Sequence, residues 1–130
     1  MSILLLALLL PLTSAARISI DMQNLADTAK DLKQQQDNAP PGKKSEIARQ
    51  LDQTLQAIDA PAEQAPHNQK LQLEAAQTFL AADEPPRALK RADLAVNLAP
   101  QDPQARIVRA ESYAKMHRYE EAAEDARLAL

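Results

Sequence analysis

Apolar and polar positions alternate along this chain in three regimes. Ile3 to Leu12 form an almost unbroken apolar run, followed by the small residues Thr13, Ser14, Ala15 and Ala16. Ten helical residues rise about 15 Å, half of a hydrocarbon core of about 30 Å, so the run is too short to span a bilayer. Its length suits a secretory signal peptide, with Thr13 and Ala15, or Ser14 and Ala16, at the cleavage site. No Lys or Arg precedes it, which keeps an uncleaved anchor and a buried terminal helix as alternatives. No Cys follows, so lipoprotein attachment is chemically excluded. Residues 1–16 are therefore expected to be a signal peptide, and the product to be secreted or periplasmic with no membrane span once it is cleaved.

The second regime has helical spacing. Ile18, Met22, Leu25, Ala29 and Leu32 step by four, three, four and three, a heptad seam on one helix face. Ser19 or Asp21 is the expected cap, and the stretch Asp37 to Gly42, with its paired prolines, the expected stop. A second stripe, Ile47, Leu51, Leu55 and Ile58, predicts a helix from an N-cap at Ser45 to about Ala60. Together residues 17–66 read as a helical hairpin or a degenerate repeat. Two uses of the seam stay open: packing within the chain, or an oligomerising coiled coil.

The third regime repeats. Slid along itself until Ala76 falls on Ala110, the chain also sets Phe79 on Tyr113, Ala88 on Ala122, Ala92 on Ala126 and Ala95 on Ala129. Each unit predicts two helices, about 68–82 with 86–98 and about 103–116 with 119–130, and Asp83 is the expected cap before Pro85 and Pro86. Paired helices at such a period mean stacked units that bury their faces on one another.

In these residues the chain resembles the tetratricopeptide repeat. The resemblance covers Gln69 to Leu130 and rests on Ala110-x2-Tyr113, Tyr119-x2-Ala122 and the phrase Lys115 to Ala122, with Ala76-x2-Phe79, Ala88-x3-Ala92 and Pro100 in the first unit. Gln72, Ala75, Arg106 and Arg109 stand where the family favours Trp and Leu, which predicts a thin core. The implied fold is all-α: a hairpin, then antiparallel helix pairs in a short right-handed solenoid, with residues 67–130 as two repeats, the second truncated. The implied activity is binding of a protein or peptide in a groove lined by the first helix of each repeat. That places Lys70, Leu73, Gln77, Leu80, Ile107, Glu111 and Ala114 in the partner-binding face. Leu73, Leu80 and Ile107 are alternatively packed between helices.

Composition narrows the chemistry. The 130 residues include one Gly, no Cys and 2% aromatics, with a formal charge of −3. No disulfide, Cys-ligated zinc, thiol nucleophile or glycine-rich phosphate loop can be built from this set. Few aromatics and a mildly acidic surface give no basis for nucleic-acid binding. His67 and His117 sit in separate connections without ligand spacing, and no Ser has a nucleophile motif. The expectation is a non-catalytic binding module or scaffold with no metal and no cofactor. A homo-oligomer built on the 18–32 seam and the N-terminal regulatory part of a longer secreted enzyme are the alternatives.

Overall fold

The computed structural model describes the backbone of residues 14–130 and the side chains from Asp21 onward; residues 1–13 of the expected signal peptide (residues 1–16) and the side chain of Ile18 lie outside the described residues. The described chain is all-α. Its six helices are α1 (Ser14–Asn38), α2 (Pro41–Gln64), α3 (Gln69–Ala81), α4 (Pro85–Leu98), α5 (Pro103–Lys115) and α6 (Tyr119–Ala129). None of them is long and apolar enough to cross a membrane.

Prolines punctuate the chain where their missing N–H costs least. Pro41, Pro85 and Pro103 each open a helix, where the amide has no intrahelical partner. Asn68 caps α3 by accepting from the Leu71 amide, and Asp102 caps α5 by accepting from the Gln104 amide. Three expectations for the ends are corrected. Helix α1 is already formed at Ser14, so neither Ser19 nor Asp21 caps it. Helix α2 opens at Pro41, which places Gly42 and Ser45 inside it, and it continues through Pro61 to Gln64. A proline in the last turn removes only one backbone bond, and burial of Ala62 keeps that turn docked.

The third correction concerns Asp83, which ends α3 instead of capping α4. Its φ of 57° is left-handed; the Asp83 amide donates to Leu80 O and the Glu84 amide to Phe79 O. This is the Schellman arrangement of a helix C-terminus. His117, with φ of 62°, repeats it at the end of α5: its amide reaches Ala114 O, and the Arg118 amide reaches Tyr113 O. The shift that carries Gln69 to Pro103, the starts of α3 and α5, also carries Pro85 to Tyr119, the starts of α4 and α6.

The main core gathers Met22, Ala26 and Ala29 of α1, Leu55, Ile58 and Ala62 of α2, and Ala75 and Phe79 of α3. Of the seam residues described, Met22, Ala29 and Leu32 are thus buried within the chain and Leu25 is partly buried. Burying Phe79 and Ile58 completely contributes about 2–3 kcal/mol each before entropy is charged against it. Farther along, α5 sets Ala105 and Val108 against Leu73, Ala76, Leu80, Ala92, Ala95 and Val96 of the α3–α4 pair. Alanine dominates these contacts, which allows close helix approach but little area per residue. Helices α1, α3 and α5 are successive neighbours, as are α4 with α5 and α2 with α3.

Candidate partner-binding groove

Polar side chains fill the sites where an apolar core would otherwise continue. Gln72 on α3 is fully buried; its Nε2 donates to Ala62 O at 2.9 Å and to Ala65 O at 3.3 Å, closing the C-terminus of α2. Its Oε1 accepts from Arg91 Nη1 at 3.0 Å, while Arg91 Nε donates to Asp59 Oδ1 at 2.6 Å. Helices α2, α3 and α4 are tied through this one buried guanidinium. One repeat later the charge order changes: Asp125 occupies the buried place of Arg91, and Arg109 donates to it from Nε at 2.6 Å and Nη2 at 2.7 Å. Arg109 Nη1 also reaches Asp93 Oδ1 at 3.0 Å, and Arg106 approaches Asp125 at 3.5 Å. The hydrogen bonds to Asp125 hold the Arg109 guanidinium well above its ordinary range, so it stays charged at every accessible pH. Among the described residues, no buried side-chain polar atom lacks a partner.

Lys33 joins α1 to the α3–α4 turn. Its Nζ donates to Ala82 O at 2.9 Å and Asp83 O at 2.5 Å, and lies 2.9 Å from Glu84 Oε1. A cation at these free carbonyls also complements the negative end of the α3 dipole.

With the helices held this way, two recesses open on either side of α3. One, about 180 Å³, lies between α1 and α3 and is bordered by Met22, Gln23, Glu74, Gln77 and Ala81. The other, about 370 Å³, lies between α3 and α5 and is bordered by Gln77, Leu80, Gln104, Glu111 and Lys115. They share Gln77 and Ala81, so Gln77 stands on the ridge between them. Partial burial pushes the Glu74 carboxyl above its usual range. The lining is mixed: amides that donate and accept, one apolar patch at Leu80, and charges of both signs.

Of the seven residues expected in the binding face, the α3–α5 recess brings together Gln77, Leu80 and Glu111. Ile107 and Ala114 border a different hollow, about 400 Å³, where α5 meets Ala122, Ala123 and Ala126 of α6. Glu111 borders both. Leu73 is half-buried and packs against Val96 and Ala105, and Lys70 is exposed on the first turn of α3. Gln23, Glu74, Gln104 and Lys115 also line the recesses but were missed in the sequence. They lie on faces whose neighbours are defined only by helix packing. The basic residues Arg87, Arg91, Arg106, Arg109 and Arg118 are all engaged in ion pairs.

These features define an all-α chain built from consecutive helical hairpins with a polar groove along α3. Nothing among protein-family models, curated proteins or solved structures matches it.

Proposed function

We propose that this protein is an exported, non-catalytic binding module of tetratricopeptide-like architecture that holds an extended or helical segment of a partner protein along α3. The observation that carries the reading is the pair of adjoining recesses flanking Gln77. They form a strip with amides for backbone recognition, Leu80 for an apolar side chain, and Glu111 and Lys115 for charged ones. Support for the repeat assignment comes from the shared shift of helix starts and of the left-handed C-terminal residues Asp83 and His117. The seam oligomer draws less support, since Met22, Ala26 and Ala29 are already covered by Leu55 and Ile58.

Export through residues 1–16 predicts a mature chain beginning at Ala16 or Arg17, read by intact-mass measurement of the protein from its host. The binding proposal is tested by placing a photo-crosslinking amino acid at Gln77 and, as control, at Lys44 on the exposed start of α2. A discrete partner captured from Gln77 but not Lys44, and lost on Glu111→Arg, is the expected result. Identical capture at both positions, or none at Gln77, rejects the groove as a binding site.

A further inference from the structure

Every buried or half-buried carboxylate among the described residues has a donor, with one exception. Arg91 meets Asp59, Lys33 meets Glu84, Arg109 meets Asp93 and Asp125, and Gln69 Nε2 donates to Asp102 Oδ2 at 2.7 Å. The exception is Glu74, half-buried on α3. None of the ion pairs among the described residues includes it. Thr78 Oγ1 donates to its backbone carbonyl, not to its carboxylate. Lys70, one turn earlier, is exposed and makes no ion pair with it. Burial alone raises the Glu74 carboxyl, and no neighbouring cation brings it back down. A carboxylate drawn partly out of water without a partner is unfavourable, and one that borders a recess is placed to gain its partner from a ligand.

The recess between α1 and α3 suits a long cationic side chain. Its volume of about 180 Å³ is roughly ten times what a single water needs. Met22 and Ala26 of α1, both buried, and Ala81 of α3 offer apolar surface to a methylene stem, with Glu74 beside them for the charged head. Gln23 and Gln77 at the border bring amide oxygens for its remaining N–H groups. The recess between α3 and α5 differs in charge. There Glu111 and Lys115 border the same space, in the order along α5 that favours attraction. The uncompensated charge of the strip therefore lies at its α1 end.

We infer that the α1–α3 recess receives a Lys or Arg side chain of the partner segment, with Glu74 as its counter-charge. This rests on the α3 groove being a binding site, and adds which chemistry the partner carries and at which end of the strip. Helix α1 packs on α2 and α3 alone, so a helix stacked against α5 and α6 leaves the recess open. Residues 1–13 hold no Lys or Arg to fill it. Arg17, whose side chain lies outside the described residues, enters the test as a competing occupant. Glu74→Gln removes the counter-charge together with its desolvation cost. Binding is therefore lost while the fold is kept or strengthened, a pairing that structural damage does not produce.

The probe is a random peptide library displayed on phage and selected against the purified protein. Recovered peptides are then labelled and titrated by fluorescence anisotropy. They are expected to share a Lys or Arg and to crosslink from a photoreactive residue at Gln77. Changing that cation to Met is expected to weaken binding to the parent about tenfold or more, and to leave binding to Glu74→Gln unchanged. Glu46→Gln, which removes an equal charge on the exposed start of α2, is expected to bind like the parent. Thermal melts of both variants establish that they remain folded. Equal loss on the Met change in the parent and in Glu74→Gln overturns the inference. Tighter binding to Arg17→Ala also overturns it, by making Arg17 the occupant. Peptides that crosslink from Gln77 without a shared cation overturn it and leave the groove standing as a binding site. No recovered peptide, or none that crosslinks from Gln77, overturns both.

Discussion

Arg109 grips Asp125 with two hydrogen bonds, Nε to Oδ2 at 2.6 Å and Nη2 to Oδ1 at 2.7 Å, and so fastens α6 to α5. The Asp125 side chain is only 4% exposed. Sixteen residues separate the partners in sequence, while α6 contributes no buried hydrophobic residue to the core. Helix α6 is therefore fastened chiefly by this buried ion pair, with Ala122 and Ala129 only half-buried beside it.

Removing that carboxylate should be costly. Asp125→Ala leaves Arg106 without its carboxylate and Arg109 with Asp93 alone. We expect a loss of about 3 kcal/mol, the low end for breaking a buried ion pair, because Arg109 keeps some access to water. Urea denaturation measures the change. A loss of about 0.5 kcal/mol or less, the range of surface substitutions, would mean that packing alone holds α6.

Arg91 makes the complementary case. Arg91→Ala strips Asp59 and the fully buried Gln72 of their donor, with an expected loss of about 3 kcal/mol. Arg49→Ala breaks a contact of intermediate length, 2.8 Å to Glu46 against 2.6 and 3.0 Å for Arg91, but both side chains are more than half exposed. Its expected effect is below about 0.5 kcal/mol. Comparing the two by chemical denaturation separates burial from bond length as the cause.

Backbone conformation and residue type are mismatched at three places. The single glycine, Gly42, lies in the first turn of α2 with open space where a Cβ would go. Asp83 and His117 carry left-handed φ angles that glycine tolerates without strain. Gly42→Ala and Asp83→Gly should each stabilise the fold by about 0.5–1 kcal/mol. His117→Gly should gain less, since His117 Nδ1 lies 2.8 Å from the Tyr119 hydroxyl. Calorimetric melting temperatures check all three, and a lower one for Asp83→Gly would contradict the strain argument.

Glu74 supplies a pH dependence. Burial raises its carboxyl above the ordinary range in the folded protein, so the fold binds that proton more tightly than the unfolded chain does. Its favourable contribution is complete below the ordinary carboxylate range and is lost as pH rises through the raised value. Glu74→Gln should therefore be more stable than the parent at neutral pH, and the advantage should vanish in acid. Denaturation curves at both ends of that window decide it, and an unchanged difference across the window refutes it.

Helix content and the order of the hairpins were legible because they rest on short-range rules. The seam from Met22 to Leu32, the prolines at helix starts and the repeating register of alanines each act within one helix or one turn. Boundary errors arose where tertiary contacts outweighed a local signal. Docking of Ala62 carried α2 past Pro61, and the preference of Asp for caps concealed its role in the left-handed turn at 83. By itself the sequence determined an all-α chain with a repeating second half and no glycine or cysteine chemistry. Tertiary structure alone decided that Gln72 pairs with Arg91, that Arg109 meets both Asp93 and Asp125, and that Leu73 packs while Gln77 stands at a groove. Spacing along a helix specifies a face, but what that face meets depends on how separate helices cross, and that follows from the packing of the whole chain.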